Sequence, residues 1–298
     1  MPKKDKTSDL NPSLKSEFLW MREAKEGYTV VDGARVSGEV VPLTKRSYIE
    51  PFLIRSESEE LQVEYCPAKK YPLMYREFAT TNRDKKSVVE FAKQYGILGI
   101  ERECQTAEAN QPKVIIGEPI QSWFEAMDDI VNAIELWDSY VSNDVEKLGR
   151  QIQWDKTNTL LMHNWDNPYC GNNALNIAVD GRVDAPLVKA LKMLTLQEQA
   201  HFIVTEKINK YFDQYTSAKV SVEQSESNKT PTVIVTPKNL LGWLWLQLAQ
   251  EVTRETVYFE CLNCGKPVLK KVTRGQPGKT CSASCRVQIS QRKSKLNS

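Results

Sequence analysis

Apolar residues recur along this chain with two different periods, which separate strand-like from helix-like stretches. Between Tyr28 and about Val63, short runs of β-branched and aromatic residues lie between turn signals such as Asp32-Gly33, and this pattern predicts a small antiparallel sheet. After a polar cap at Thr81 to Asp84, apolar residues recur every three or four positions. This stretch predicts a helix that stops at Gly96.

The longest helical pattern begins in the middle of the chain. Glu118-Pro119 is predicted to open a helix, and its apolar stripe runs from Trp123 to Val141. Acidic residues between Glu125 and Glu135 lie opposite that stripe. No histidine accompanies them at ligand spacing, so we interpret them as a solvated face rather than a site.

Two further helical regions follow. The first runs from Pro186 to about Tyr215, with a break near Thr195. The second is predicted to be capped by Thr236, with Pro237 at its first position. It is apolar on almost every side from Leu240 to Ala249, so we expect it to be the central helix of the second half, with its tryptophans in the core.

The mixture of periods predicts an α+β protein with a mixed body of short antiparallel strands and helices. We expect a disordered basic terminus over residues 1–14, the body over 15–256 and a separate C-terminal module over 257–298. The polar stretch 101–113 is a predicted connection and a candidate boundary within the body. Apolar content of 41% fits a globular protein, and no apolar run reaches the length of a membrane helix, so we expect a cytoplasmic location.

Four of the seven cysteines lie near the end of the chain in a spaced pattern. Cys261 and Cys264 are separated by two residues, and Cys281 and Cys285 by three. Two close pairs of thiols joined by a short loop are typical of a tetrahedral zinc site. The sequence therefore predicts one structural Zn²⁺ held by these four side chains.

The charge of the chain is unevenly distributed. Residues 261–298 contain nine Lys or Arg and no Asp or Glu, so the 40 basic residues of the chain leave 31 against 38 acidic ones in residues 1–260, a net charge of −7. A basic tip on an acidic body predicts contact with nucleic acid, most simply DNA. Protein contact and a purely structural role, in which the cations balance the thiolate charge, remain open. The predicted nucleic-acid contacts are Lys270, Lys271, Arg274, Lys279, Arg286, Arg292 and Lys293.

With four cysteine ligands, residues 257–298 are a predicted zinc finger. The order of the local sequence signals around the cysteines predicts how this finger is built. Pro267 to Thr273 is a predicted strand that returns through Thr280 and Cys281. Ser282 is placed to cap a helix from Ala283, with Cys285 in its first turn. A knuckle, a hairpin and a ligand-bearing helix is the order of a treble-clef finger. Arg286, Ser290 and Lys293 would share the side of this helix that reads nucleic acid.

The stretch from Cys261 to Pro267, followed by Thr280 to Arg286, resembles the C-terminal zinc fingers of many uncharacterised bacterial proteins. It is more distantly similar to the CGNR zinc fingers that follow an ABATE domain. Two stretches of the body, Tyr75 to Phe78 with Phe91 to Gly99 and Leu244 to Ala249, look like the body of such proteins. The resemblance implies a DNA-binding finger in a bacterial transcription regulator. Because Cys285-Arg286-Val287 stands where that pattern has Cys-Gly-Asn-Arg, only the four ligands and the basic helix carry over.

The sequence does not favour an enzyme. A complete set of four thiolates leaves no open position on the metal, which catalytic zinc requires. The loop from His163 to Gly171 brings an imidazole, a carboxylate and a thiol close in sequence, but its turn residues predict an ordinary loop. We therefore expect a binding protein, with a protein-interaction or RNA-binding module as the alternative to a DNA-binding regulator.

Overall fold

The structure is a computed structural model, and its helices and antiparallel strand pairs form an α+β protein, as predicted. It describes residues 18–23, 27–36, 49–55, 62–105, 114–154, 160–162, 173–175, 178–179, 182–183, 185–222, 231–254, 258–264, 267–269 and 280–296. Among these residues, no helix is both long and apolar enough to cross a membrane.

Strands and helices alternate in groups along the chain. The strands are β1 (Trp20–Glu23), β2 (Tyr28–Val36), β3 (Ile49–Arg55), β4 (Gln62–Tyr65), β5 (Arg102–Gln105), β6 (Val114–Pro119), β7 (Ile152–Trp154), β8 (Leu160–Met162), β9 (Asn173–Leu175), β10 (Ala178–Val179), β11 (Arg182–Val183), β12 (Thr216–Val222), β13 (Pro231–Pro237), β14 (Tyr258–Glu260) and β15 (Pro267–Leu269). The helices are α1 (Pro67–Lys70), α2 (Met74–Ala79), α3 (Lys85–Tyr95), α4 (Ile120–Val141), α5 (Val145–Gln151), α6 (Ala185–Lys192), α7 (Leu196–Tyr215), α8 (Leu240–Arg254) and α9 (Ala283–Leu296).

The first sheet is a closed antiparallel barrel with the strand order β2-β3-β6-β5. β2 and β3 confirm antiparallel strands in the predicted region, but the turn predicted at Asp32-Gly33 is wrong, because β2 continues through it with a shift of register between Val31 and Ala34.

The barrel also contains two strands that the sequence did not indicate. β5 lies inside 101–113, where a connection was predicted, so that prediction was wrong. Arg102 and Glu103 are both exposed, and β5 therefore shows no alternation of apolar and polar residues. β6 ends at Glu118-Pro119, and Pro119 is the N-cap of the helix that begins at Ile120, which confirms the predicted start of that helix. The remaining pairs are β1 with β4, β7 with β8 with β9, β10 with β11, β12 with β13 and β14 with β15.

Helix α4 lies at the centre of the helical layer, packed against α2, α5, α7 and α8. Its acidic side was predicted to face solvent, and for most of its length this is wrong. Asp128 is 2.6 Å from Arg83 Nε, and Asp129 is 2.8 Å from Lys207 Nζ. The cations that neutralise these carboxylates come from α7 and from the turn before α3, so the sequence of α4 by itself gives no sign of them.

A further ionic cluster, in which one arginine contacts two carboxylates, joins three helices. The guanidinium of Arg76 on α2 contacts Asp138 on α4 at 3.0 Å and Glu251 on α8 at 2.5 Å. Arg76 and Glu251 are each only 6% exposed, so the carboxylates offset the cost of burying the guanidinium.

Helix α8 is buried from Leu240 to Ala249, which confirms it as a central helix. Trp243 and Trp245 belong to the core, and the ring of Trp245 stacks on Tyr211 with centroids 4.1 Å apart. The predicted cap was wrong: Thr236 and Pro237 are in β13, whose pairing with β12 extends to its last residue. The side chain of Asn239 caps α8 instead, and accepts a hydrogen bond from the N–H of Gly242 at 2.9 Å.

The break near Thr195 and the stop at Gly96 are both confirmed. Thr195 separates α6 from α7 and forms a reciprocal capping box with Glu198. Gly96 follows α3 with φ of 91°, a conformation that favours glycine, and its N–H bonds to the carbonyl of Ala92 at 2.7 Å. Both ends were predictable because each depends only on neighbours in sequence.

A buried carboxylate joins the barrel to the helices. Glu118 on β6 accepts hydrogen bonds from the backbone N–H groups of Leu98, Gly99 and Ile100 at 3.0, 2.5 and 2.7 Å. The indole N–H of Trp123 on α4 donates a fourth at 2.8 Å. Glu118 is fully buried, so these four donors replace the water that its carboxyl would otherwise bind.

Glu118 should make the stability of the fold depend on pH. Burial raises its pKa from 4.5 to about 7, against the lowering effect of the three backbone N–H groups. The folded chain therefore binds this proton more tightly than the unfolded chain, so the stabilising contribution is complete below pH 4.5 and is lost as the pH rises to 7. Urea denaturation should show the free energy of unfolding falling by up to about 1.4 kcal/mol per pH unit over this range.

Glu118→Gln is the matched variant, because it keeps the shape of the side chain but does not titrate. We expect this variant to lower the free energy of unfolding at acidic pH by about 1 to 3 kcal/mol. The reason is that the glutamine NH₂ group cannot accept hydrogen bonds, so some of the N–H groups that bind Glu118 lose their acceptor. Subtracting its pH profile from that of the wild type isolates the contribution of Glu118. If the stabilities of the wild type and of Glu118→Gln changed with pH in parallel, the pH dependence could not be assigned to Glu118.

Candidate metal centre

The cysteine pairs lie on a strand pair and at the start of a helix. β14 and β15 pair antiparallel from Tyr258↔Leu269 to Glu260↔Pro267, and Cys261 follows β14 directly. The predicted return of the strand through Thr280 and Cys281 was wrong, because these residues form the bend that leads into α9. The knuckle, which contains Cys261 and Cys264, lies between β14 and β15 in the chain and reverses its direction. β14 is therefore the nearest strand with which β15 can pair.

Helix α9 confirms the predicted cap. The Oγ atom of Ser282 accepts a hydrogen bond from the N–H of Cys285 at 3.2 Å, and its carbonyl accepts one from the N–H of Arg286 at 3.2 Å. Cys285 and Ile289 are half-buried, whereas the residues around them on α9 are exposed. The helix therefore directs this one side inward and leaves its other residues between Ala283 and Arg292 exposed to solvent.

The four sulfur atoms form a compact cluster, all within 4.8 Å of one another. Cys281 Sγ lies 3.6 Å from Cys264 Sγ and 3.4 Å from Cys285 Sγ, and the third edge, from Cys285 to Cys264, is 3.8 Å. A tetrahedral ion with Zn–S bonds of about 2.3 Å requires S–S edges of about 3.8 Å. The cluster therefore has the size and the donor chemistry of a four-coordinate metal site.

N–H groups of the protein also point at the sulfur atoms. The backbone N–H of Cys281 donates to Cys261 Sγ at 3.3 Å, and the side-chain amide of Asn263 donates to Cys285 Sγ at 3.4 Å. Such bonds stabilise sulfur in the thiolate form that binds metal. In the sequence, the only sign of a role for Asn263 is its position between Cys261 and Cys264.

The acidities of the thiols differ across the cluster. Burial raises the pKa of Cys261, but the N–H groups of Cys281, Asn263 and Cys264 lower it to about 6. Hydrogen bonds to the sulfurs of Cys285, Cys264 and Cys261 raise the pKa of Cys281 to about 12. The amide of Asn263 and the hydroxyl of Ser282 lower that of Cys285. A cation bound by these sulfurs would replace the protons of the thiols.

The predicted nucleic-acid contacts divide into two groups. Arg286 and Arg292 are exposed on α9, and neither forms an ion pair with a residue that the structure describes. Lys293 lies in the same helix. Lys270, Lys271, Arg274 and Lys279 lie outside the described residues, as does the loop from His163 to Gly171.

Comparisons of the chain with protein-family models, with curated proteins and with solved structures found no match. Its function is therefore inferred from the cysteine cluster and the helix that carries it.

The cluster should bind one zinc ion per chain, and metal analysis after chelator-free purification measures this directly. Cys264→Ser should abolish stoichiometric binding, whereas Cys66→Ser, a half-buried cysteine outside the cluster, should leave it unchanged. The thermal unfolding of the body should be the same in all three proteins. Because bound thiols lose their protons, affinity should fall as the pH is lowered. Less than about a tenth of an equivalent of metal in the wild type would count against the site.

Proposed function

We propose that this chain is a DNA-binding protein with a structural zinc finger at residues 257–298, and that its body is the sensing or assembly part of a bacterial transcription regulator. The observation that carries the proposal is an exposed basic helix, α9, anchored by its first turn to a cluster of four cysteines. Zinc fits best among metals, because four thiolates in a tetrahedron of this size are its usual structural site. The resemblance of the finger to those of bacterial regulators supports the same conclusion.

The charges on α9 support a polyanionic partner. Four thiolates and one Zn²⁺ carry −2, whereas residues 261–298 carry nine basic residues and no acidic one. Arg286 and Arg292 face solvent without an ion pair to any described residue of the acidic body. If the basic residues served only to neutralise acidic groups within the chain, these two guanidinium groups would be expected to contact carboxylates.

The composition of the finger favours duplex DNA over single strands and over RNA. The aromatic residues of the finger, Tyr258 and Phe259, lie on β14 before the first cysteine. Residues 261–298, which carry the basic side chains, contain no Phe, Tyr, Trp or His and so offer no ring on which an unpaired base could stack. The major groove of double-stranded RNA is too narrow for a helix, whereas that of B-DNA admits one. Arg286 and Arg292 are exposed on α9, and their guanidinium groups match the hydrogen-bond acceptors of guanine.

Binding rather than catalysis follows from the same site. With all four positions of the metal taken by Cys261, Cys264, Cys281 and Cys285, no position is left for a substrate or an activated water. We therefore propose that the chain is not an enzyme at this site.

Protein contact is the second candidate, and one observation favours it. Leu262 and Val287 are 67% and 53% exposed on the finger, and exposed apolar side chains are common where proteins meet. Two side chains are too small a patch for a stable interface by themselves.

Fluorescence anisotropy with labelled duplex DNA, single-stranded DNA and RNA at several salt concentrations tests the proposal. With about four phosphate contacts, log K for duplex DNA should fall against log salt with a slope of about −3 to −4. Replacing Lys270 and Lys271 together should weaken binding to every sequence and flatten the slope by about two. Arg286→Ala should cost about 1 to 3 kcal/mol and relax sequence preference.

Lys189→Ala is the matched control, since Lys189 is an exposed cation on α6 of the body. It should bind as the wild type does. Equal binding by the wild type and the finger variants, or no binding at low salt, would overturn the DNA proposal. Loss of a protein partner on replacing Leu262 and Val287 would then support the second candidate.

A further inference from the structure

We propose that Asn263 is a positioning residue of the metal centre, which orients the ligand Cys285 and fastens helix α9 to the knuckle. The inference rests on the metal site of the proposed function but not on its DNA partner. Asn263 lies between Cys261 and Cys264 in sequence, yet its side chain contacts the other ligand pair. It therefore joins the two halves of the site by a route other than the metal itself.

Its amide nitrogen makes two contacts. Asn263 Nδ2 lies 3.4 Å from Cys285 Sγ and 2.6 Å from Gln288 Oε1. The two N–H groups of a single amide can supply both bonds. Cys285 and Gln288 are three residues apart on α9, so they lie on one side of the helix, one turn apart. Asn263 thus holds the knuckle against the first turn of α9.

The chemistry of the acceptor fixes which way the amide points. A metal-bound thiolate accepts hydrogen bonds and donates none, so only the nitrogen of Asn263 suits the position beside Cys285. The opposite orientation would direct the amide oxygen at a negatively charged sulfur. The observed orientation leaves Asn263 Oδ1 buried with no hydrogen-bond partner among the described residues.

Two effects follow for the bound metal. The N–H bond to Cys285 spreads part of the thiolate charge onto the protein, which stabilises four crowded sulfurs around one ion. The bond to Gln288 restrains the direction in which α9 leaves the site. Metal affinity and the orientation of the basic helix therefore depend on the same side chain.

Cobalt titration of the full chain tests this, because Co²⁺ bound by thiolates has visible charge-transfer and d–d bands, and displacement by zinc then gives the zinc affinity. The variants are Asn263→Ala, which removes both N–H bonds, and Asn263→Asp, which keeps the shape but places a carboxylate beside Cys285. Both should weaken zinc binding, roughly 10- to 100-fold as for other partners of metal ligands, with Asn263→Asp the weaker binder. Asn263→Ala should also move the charge-transfer band to lower energy, because its thiolate is less stabilised.

Two further variants separate positioning from general damage to the knuckle. Gln288→Ala keeps the donation to Cys285 and should weaken zinc binding less than Asn263→Ala. Leu262→Ala changes an exposed neighbour between the same cysteines and should leave affinity and spectrum unchanged. Affinities within about twofold of the wild type and an unshifted band for both Asn263 variants would overturn the proposal, as would an equal loss in Leu262→Ala. A wild type that binds no cobalt would instead refute the metal site itself.

Discussion

The burial of one carboxylate constrains the whole body of this protein. Glu118 can remain inside only while four N–H groups bind it, and those groups belong to the segment after α3 and to α4. The same segment is held from the other side, since the carbonyls of Leu98 and Gly99 accept bonds from Leu241 N–H and the Asn239 amide at the start of α8. The barrel, the segment after α3 and the two central helices are therefore fixed by mutually dependent bonds.

The finger is stabilised by a different kind of interaction. Between Ala283 and Arg292 on α9, Cys285 and Ile289 are half-buried and the other residues are exposed. The described contacts within the finger include the cysteine cluster, the Ser282 cap and the bonds of Asn263. Small modules with a structural metal gain most of their folding free energy when the metal binds, and the cluster has the size and donors for such a site.

The sequence predicted the features whose partners are close along the chain. The cysteine spacing, the Ser282 cap and the break at Thr195 are signals within a few residues, and each was confirmed where the structure describes it. Features that depend on distant partners were missed or misread. Asp129 is paired with Lys207, 78 positions away, and Glu118 with Leu98, 20 positions away. Local hydrophobic periodicity carries no information about such pairs, and for the same reason β5 and β6 were not foreseen.

Closure of the β2-β3-β6-β5 barrel governs how the body can associate with other chains. In an open sheet, each outer strand presents unpaired N–H and C=O groups to which a strand of another molecule can add. In this barrel every strand has two neighbours, which removes the two fully open margins of a flat sheet. The closure is uneven, however, because β6 pairs with β3 only from Gly117 to Pro119, whereas Val114 and Ile116 pair with β5 alone among the described strands. Val114 and Ile116 are also exposed, so this end of β6 is the part of the barrel where the strand of another chain could still add.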